Sequence, residues 1–321
     1  VLFGVELEHR SFTLAKYLVT GGAGFIGSNI VEELVKRNES VRVLDNLSTG
    51  RRENIEPFMD GIEFIEGDLR DLDSVRKAVN GVDYVLHQGA LPSVPRSIDN
   101  PLTTNEVNVN GTLNVLTSAR DAGVKRVVYA SSSSIYGNSE VLPKREDMPP
   151  NPLSPYAISK LAGENYCRIF YRIYGLETVC LRYFNVFGPR QDPTSQYSAV
   201  IPKFISAMLN GERPKIYGDG KQSRDFTYVA NVVQANLLAC QADGVAGEFF
   251  NVACGERYTV LDLVAELNEI LGKDVEPVFT EPRKGDVRHS QADISKAQRL
   301  LEYGGLVGFK SGLRMLISSL Q

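Results

Sequence analysis

The stretch "SPYAISK" (154–160) holds two groups able to do chemistry together, the phenol of Tyr156 and the ammonium of Lys160. Four residues apart on a helix, they share one face, and an ammonium close to a phenol favours the phenolate. A tyrosine so placed can act as a base near neutral pH. The local letters supply the helix. Ser154 is a good N-cap, and Pro155 suits the first helical position, where the N–H it lacks would have had no partner. Apolar residues then recur at helical spacing until Gly175, a C-terminal stop. An isolated Tyr-x-x-x-Lys is ordinarily no more than an amphipathic helix, so its meaning rests on its company.

A second cluster lies near the start, where "YLVTGGAGFIGS" (17–28) joins a β-branched run to an amphipathic one. Two glycine registers overlap, Gly22-x-Gly24-x-x-Gly27 and Gly21-x-x-Gly24-x-x-Gly27. Either lets the backbone approach a pyrophosphate at a helix N-terminus, with Phe25 and Ile26 in the same turn. Asp45 ends the next strand, where an acid accepts hydrogen bonds from the adenosine ribose and repels a 2′-phosphate, so NAD is expected over NADP. Asn46 follows it, and Asp68 and Leu69 of "GDLRD" end the third strand beside the adenine. Gln88 closes the fourth strand and is grouped with the cofactor-binding residues.

Strands are expected at 16–20, 41–45, 62–68, 83–88, 126–132 and 178–183, separated by helical stretches. Near-continuous apolar strands alternating with helices indicate a parallel sheet covered on both faces, a doubly wound α/β (Rossmann) fold. After Phe184 the pattern loosens, with helices near 199–210, 229–241, 260–272 and 293–302, and "GEFFNVAC" (247–254) able to return to the sheet. The expected division is an extension at 1–14, an NAD-binding domain at 15–182 with returning segments near 224–256, and a smaller mixed α/β lobe at 183–223 and 257–321. A net charge of −4 over 321 residues suggests neither nucleic acid nor an anionic membrane as partner. The four scattered cysteines read as reduced thiols of a cytoplasmic protein, and the three histidines offer no metal-ligand spacing.

Taken together, "TGGAGFIGS", "GDLRD", "NVNGTLNVL", "SSSSIYG" and "SPYAISK" resemble the extended short-chain dehydrogenase/reductases from about residue 16 onward. The resemblance implies a hydroxyl at the end of the fifth strand that shares the substrate oxygen with Tyr156. The position four residues before the tyrosine of "YG" is Ser132, with Ser133 the second choice. Lys160 would then depress the Tyr156 pKa and hold the nicotinamide ribose, with Tyr183 beside the nicotinamide. Sugar dehydratases of this family carry an Asp-Glu pair before "VYG", and UDP-glucuronate decarboxylases a glutamate at the second of those positions. Here both are serines, Ser133 and Ser134, which favours epimerisation over elimination.

"RYFNVFGPRQDP", "AVIP", "KIYGDG", "SRDFTYV" and "PRKGDVRHS" resemble the substrate motifs of the nucleotide-sugar epimerases. That likeness implies Asn185 as donor to the diphosphate, Ala199 and Val200 bordering the uracil, and Tyr217 stacking on it. Arg224 and Arg283 would pair with the diphosphate and Asp286 with the uridine ribose. The UDP-N-acetylglucosamine 4-epimerases are the group most resembled. Ser290 stands where enzymes restricted to glucose and galactose carry a tyrosine, leaving volume for an N-acetyl arm in a pocket shared with Ser93, Asn185, Gln191 and Ala199. Pro92 departs from the glycine of that group. The expected activity is NAD-dependent C4 epimerisation of UDP-GlcNAc/UDP-GalNAc and of UDP-glucose/UDP-galactose, by a homodimer paired through helices including 156–174. UDP-glucuronate 4-epimerisation or decarboxylation is the alternative, with Arg96 as the cation for its carboxylate, and an NAD-sensing protein without turnover is a further one.

Overall fold

A computed structural model describes residues 14–192, 200–282 and 288–320. Seven parallel strands form the main sheet: β1 (Lys16–Thr20), β2 (Ser40–Asp45), β3 (Ile62–Glu66), β4 (Tyr84–His87), β5 (Arg126–Ser132), β6 (Glu177–Tyr183) and β7 (Phe249–Val252). Their spatial order is β7-β6-β5-β4-β1-β2-β3. The order reverses between β1 and β4, and α/β sheets bind ligands at the strand ends of such a switch point. Strand β7 comes from the "GEFFNVAC" segment and pairs in parallel with β6, Phe250 opposite Leu181.

Alternate residues of each strand feed two cores. Tyr17, Val19, Val43 and Leu181 pack against Ile30 and Leu34 of α1 (Phe25–Lys36) on one face, together with the long helix Val229–Gln241. On the other face Leu18, Leu44, Val85 and Val127 meet α2 (Leu72–Val79), α3 (Gly111–Asp121) and α4 (Pro155–Tyr174). A third core, with Ile201, Phe204, Leu263, Phe309 and Leu313, belongs to the C-terminal lobe. Each such side chain, fully buried, contributes about 1.5–3 kcal/mol.

Helix α4 forms as its letters dictate. The Ser154 hydroxyl accepts from the Ala157 amide at 3.1 Å, Pro155 stands in the first turn, and Gly175 ends the helix with φ at 72°. Its sheet-facing side carries Ala157, Lys160, Gly163, Glu164 and Cys167. One feature differs from expectation. Strand β3 stops at Glu66, because Asp68 already begins the turn into α2 by accepting the Asp71 amide at its carbonyl. The segment after β4 is helical, with turns at Val94–Asp99 and Pro101–Asn105 capped by Ser93 and Asn100, then a π-helical turn at Glu106–Asn110.

Candidate active site

The C-terminal ends of β1 and β4 open into a cleft of about 850 Å³. Of the residues read from the sequence as cofactor-binding, all but Gly22 line it, from Gly21 to Tyr183. The floor is backbone. Gly21 adopts φ 67°, and a Cβ there would stand 2.6 Å from the Gly89 Cα. A Cβ on Gly27 would stand 2.1 Å from the Gly21 carbonyl oxygen. Such close approach with a helix N-terminus behind it fits a pyrophosphate.

Asp45 ends β2 nearly buried and receives the Ala23 amide at 3.0 Å and the Leu47 amide at 2.8 Å, one on each oxygen. Burial pushes its carboxyl up, and these two amides pull against that. Each oxygen retains a lone pair for a ribose hydroxyl. Asp68 is gripped by Arg70 through both carboxylate oxygens and by Asn46 at 2.8 Å, and is drawn down to about 2. Arg51 and Asp192, both lining the cleft from opposite segments, pair at 2.7 Å.

At the far end stand the chemical groups. Ser132 ends β5 just past Ser131 of the cleft lining, its hydroxyl accepting the Ser134 amide at 3.1 Å. Ser133 begins the turn that follows, which runs to Tyr136. Lys160 is buried, donates to the Ala130 carbonyl at 2.9 Å and lies 6.0 Å from the centre of the Tyr156 ring. Burial lowers it to about 8. Burial pushes the Tyr156 phenol up and the Ser132 hydroxyl pulls against it, while the Lys160 ammonium donates to the Ala130 carbonyl.

Tyr183 donates to Gln88 at 3.2 Å and receives from Asn236 at 2.8 Å, while Gln88 donates to the same Asn236 at 2.9 Å. Asn236 went unnoticed in the sequence, as did Asn108 of "NVNGT". Asn108 accepts the Leu91 amide at 2.7 Å and donates to the Ser159 hydroxyl at 3.0 Å, joining the cleft loop to α4. His87 is core: Thr20 and Thr112 hold its two ring nitrogens, at 2.7 and 3.0 Å, and burial pulls it down to about 3.

Of the substrate residues, Ser93 and Gln191 line the cleft, Ser93 with φ at 102°. Others gather in the lobe. Arg224 lies in Ser223–Arg224, paired antiparallel with Tyr258–Thr259, and Ser290 donates its amide to the Ser223 carbonyl at 3.0 Å. Asn185 donates to the Asp225 carbonyl at 3.3 Å. Asp225 itself is fully buried and receives the amides of Cys254, Gly255 and Ala292, which ties the end of β7 to the Ser290 segment. Tyr217 ends a short strand beside Val278–Thr280, and Val200 opens the helix Val200–Leu209. Neither these two nor Arg224, Asn185 and Ser290 line the cofactor cleft. Ala199, Arg283 and Asp286 lie outside the described residues.

A glycine-floored cleft at the switch point of a parallel sheet, with an acid closing β2, makes this a dinucleotide-binding α/β protein. The chain belongs to the NAD dependent epimerase/dehydratase family, which it matches over residues 17–253. Three solved structures resemble it along almost their whole length. One is the UDP-N-acetylglucosamine 4-epimerase of Methanobrevibacter ruminantium M1 in complex with UDP-N-acetylmuramic acid, 41% identical with TM-score 0.92, covering 96% of this chain and 98% of that one. The Thermotoga maritima UDP-glucose 4-epimerase with UDP-glucose is 39% identical, TM-score 0.90, covering 95% and 98%. The Thermus thermophilus UDP-glucose 4-epimerase complex with NAD is 39% identical, TM-score 0.86, covering 94% and 98%. Among the described residues no helix is long and apolar enough to cross a membrane.

Proposed function

We propose that the chain interconverts UDP-hexoses at C4, acting on UDP-GlcNAc/UDP-GalNAc and on UDP-glucose/UDP-galactose. The observation that carries this is the Tyr156 phenol lining a dinucleotide cleft beside Lys160, with serine rather than a carboxylate at both 133 and 134. Bound NAD would accept the C4 hydride and return it to the turned face of the sugar, and would supply a positively charged ring. Tyr156 takes the C4 hydroxyl proton while Ser132 holds the same oxygen, and the sugar becomes a 4-ketose. Lys160 bears on the nicotinamide ribose. Arg224, Arg283 and Tyr217 retain the UDP end, and Asn185, Val200, Ala199 and Asp286 complete its contacts. Binding strength held at the remote nucleotide leaves the ketose free to turn its other face. Residues 15–182 with the 224–256 return form the cofactor unit, and 183–223 with 257–321 the sugar-nucleotide unit, in a cytoplasmic protein.

Incubation with UDP-GlcNAc, UDP-glucose and UDP-glucuronate in turn, resolved by proton NMR, tests the reading. C4 epimers of the first two are expected. A pentose product from UDP-glucuronate, with no hexose epimers, would replace it with decarboxylation. Ser290→Tyr is expected to depress the acetylated pair by roughly 10-fold or more while sparing the other. Equal loss on both pairs would defeat the volume argument.

Homodimerisation belongs to the same proposal. Ile158, Ile169 and Ile173 are 57%, 43% and 65% exposed along α4, and Ile98 and Leu102 are 61% and 77% exposed on the short helices packed beside it. An apolar stripe of this kind marks an association surface. Ile173→Asp should convert a dimer to a monomer by light scattering. A wild-type chain that is monomeric at micromolar concentration would refute the pairing.

A further inference from the structure

We propose that Glu164 is a positioning residue for the C4 chemistry: through Ser131 and Arg182 it sets the register in which Tyr156 meets Ser132. The inference rests on the epimerase reading above. Glu164 stands on the sheet-facing side of α4, one turn beyond Lys160 and two beyond Tyr156, with its side chain only 3% exposed. Its carboxylate grips both neighbouring strands. From β5 the Ser131 hydroxyl donates to Oε1 at 2.6 Å. From β6 the Arg182 guanidinium forks onto both oxygens, Nε to Oε1 and Nη2 to Oε2, each at 2.8 Å.

Arg182 also donates through Nη1 to the Tyr136 hydroxyl at 2.8 Å, and Tyr136 donates on to Asn251 of β7 at 2.7 Å. Ser132 is therefore bracketed. Ser131 immediately before it and Tyr136 at the end of the following turn both report to the Glu164–Arg182 pair. The phenol that Ser132 must meet hangs from the same helix as Glu164. As packing alone, an ion pair buried this deeply gains little over apolar residues of the same shape. What the planar fork adds is direction, since it fixes the angle and height of α4 against β5 and β6. Ser132 is also the group that draws the Tyr156 phenol down. A slip of register weakens that pull and raises the phenol.

The experiment follows kcat and KM against pH for the NAD-loaded enzyme, wild type and Ser131→Ala, with UDP-glucose as substrate. Ser131→Ala removes one strand contact and leaves the ion pair in place, so the fold survives. Glu164→Gln serves as a second, stronger variant. In Ser131→Ala we expect kcat to fall by roughly 10- to 100-fold, KM to stay within about threefold, and the limb on which the phenolate appears to move to higher pH. Partial unfolding alone scales the rate equally at every pH and leaves that limb where it was. A Ser131→Ala profile in the wild-type position, at any rate, overturns the positioning role. A wild type that epimerises no UDP-hexose strikes the epimerase reading and takes this inference with it, so the two failures are distinguishable.

Discussion

Tyr156→Phe is expected to lose roughly 10²- to 10⁴-fold in kcat, the span that general acid–base catalysis covers, with KM for the UDP-sugar nearly unchanged. The variant deletes one oxygen. The ring and its packing against Lys160 remain, and the cleft floor, built of Gly21, Gly24 and Gly27, is untouched. NAD content and melting temperature should therefore match the wild type, which isolates the loss to proton transfer. Among the described residues the phenol has no substitute nearby. Lys160 is committed to the Ala130 carbonyl and Ser132 cannot ionise in this pH range. Retention of more than a tenth of the wild-type rate would remove Tyr156 from the role of base. Deuterium at C4 gives an independent reading: it should return to C4 of the inverted product and not wash into solvent.

Gly27→Ala is expected to abolish NAD retention and to lower the melting temperature by several degrees. The added Cβ would lie 2.1 Å from the Gly21 carbonyl oxygen and 2.8 Å from both the Gly21 carbonyl carbon and the Gly22 Cα. All three are backbone atoms, so no side chain can swing aside. The turn has little slack, since the Gly21 amide is held by the Leu44 carbonyl at 2.8 Å and its carbonyl by the Gly24 amide at 3.0 Å. Overpacking of this kind costs about 1–3 kcal/mol or more, and here the displaced atoms are the ones that would approach the pyrophosphate. Gly24→Ala provides the contrast, its Cβ meeting only the Gly21 oxygen at 3.1 Å. The nucleotide content of purified protein and a thermal melt check the pair. A Gly27→Ala protein that carries NAD and melts like the wild type would show that the floor can yield.

What was legible in the sequence was local or carried by a motif. Ser154, Pro155 and Gly175 wrote the limits of α4, because capping needs only neighbours in the chain. Asp45 was readable because strand ends and turn letters adjoin it. The "GEFFNVAC" strand was recognised by its apolar run, although its place beside β6 depends on the whole topology. The rest depends on contacts across long separations. Gln88 and Asn236 meet across 148 positions, and Asn236 looks from its letters like any polar residue of a helix. The Glu164–Arg182 pair spans a helix and a strand with no local mark. Tyr156 and Lys160 were found by spacing, but spacing cannot say which carbonyl captures an ammonium.

Strand β7 has a bearing on how the molecule is made. During synthesis the first six strands leave the ribosome well before Phe249–Val252 do, and until then β6 presents an open edge at the margin of a nearly finished sheet. Such edges invite mispairing between nascent chains. Closing that edge requires the intervening segment, the start of the C-terminal lobe, to be already translated, so maturation of the nucleotide unit waits on the chain that follows it.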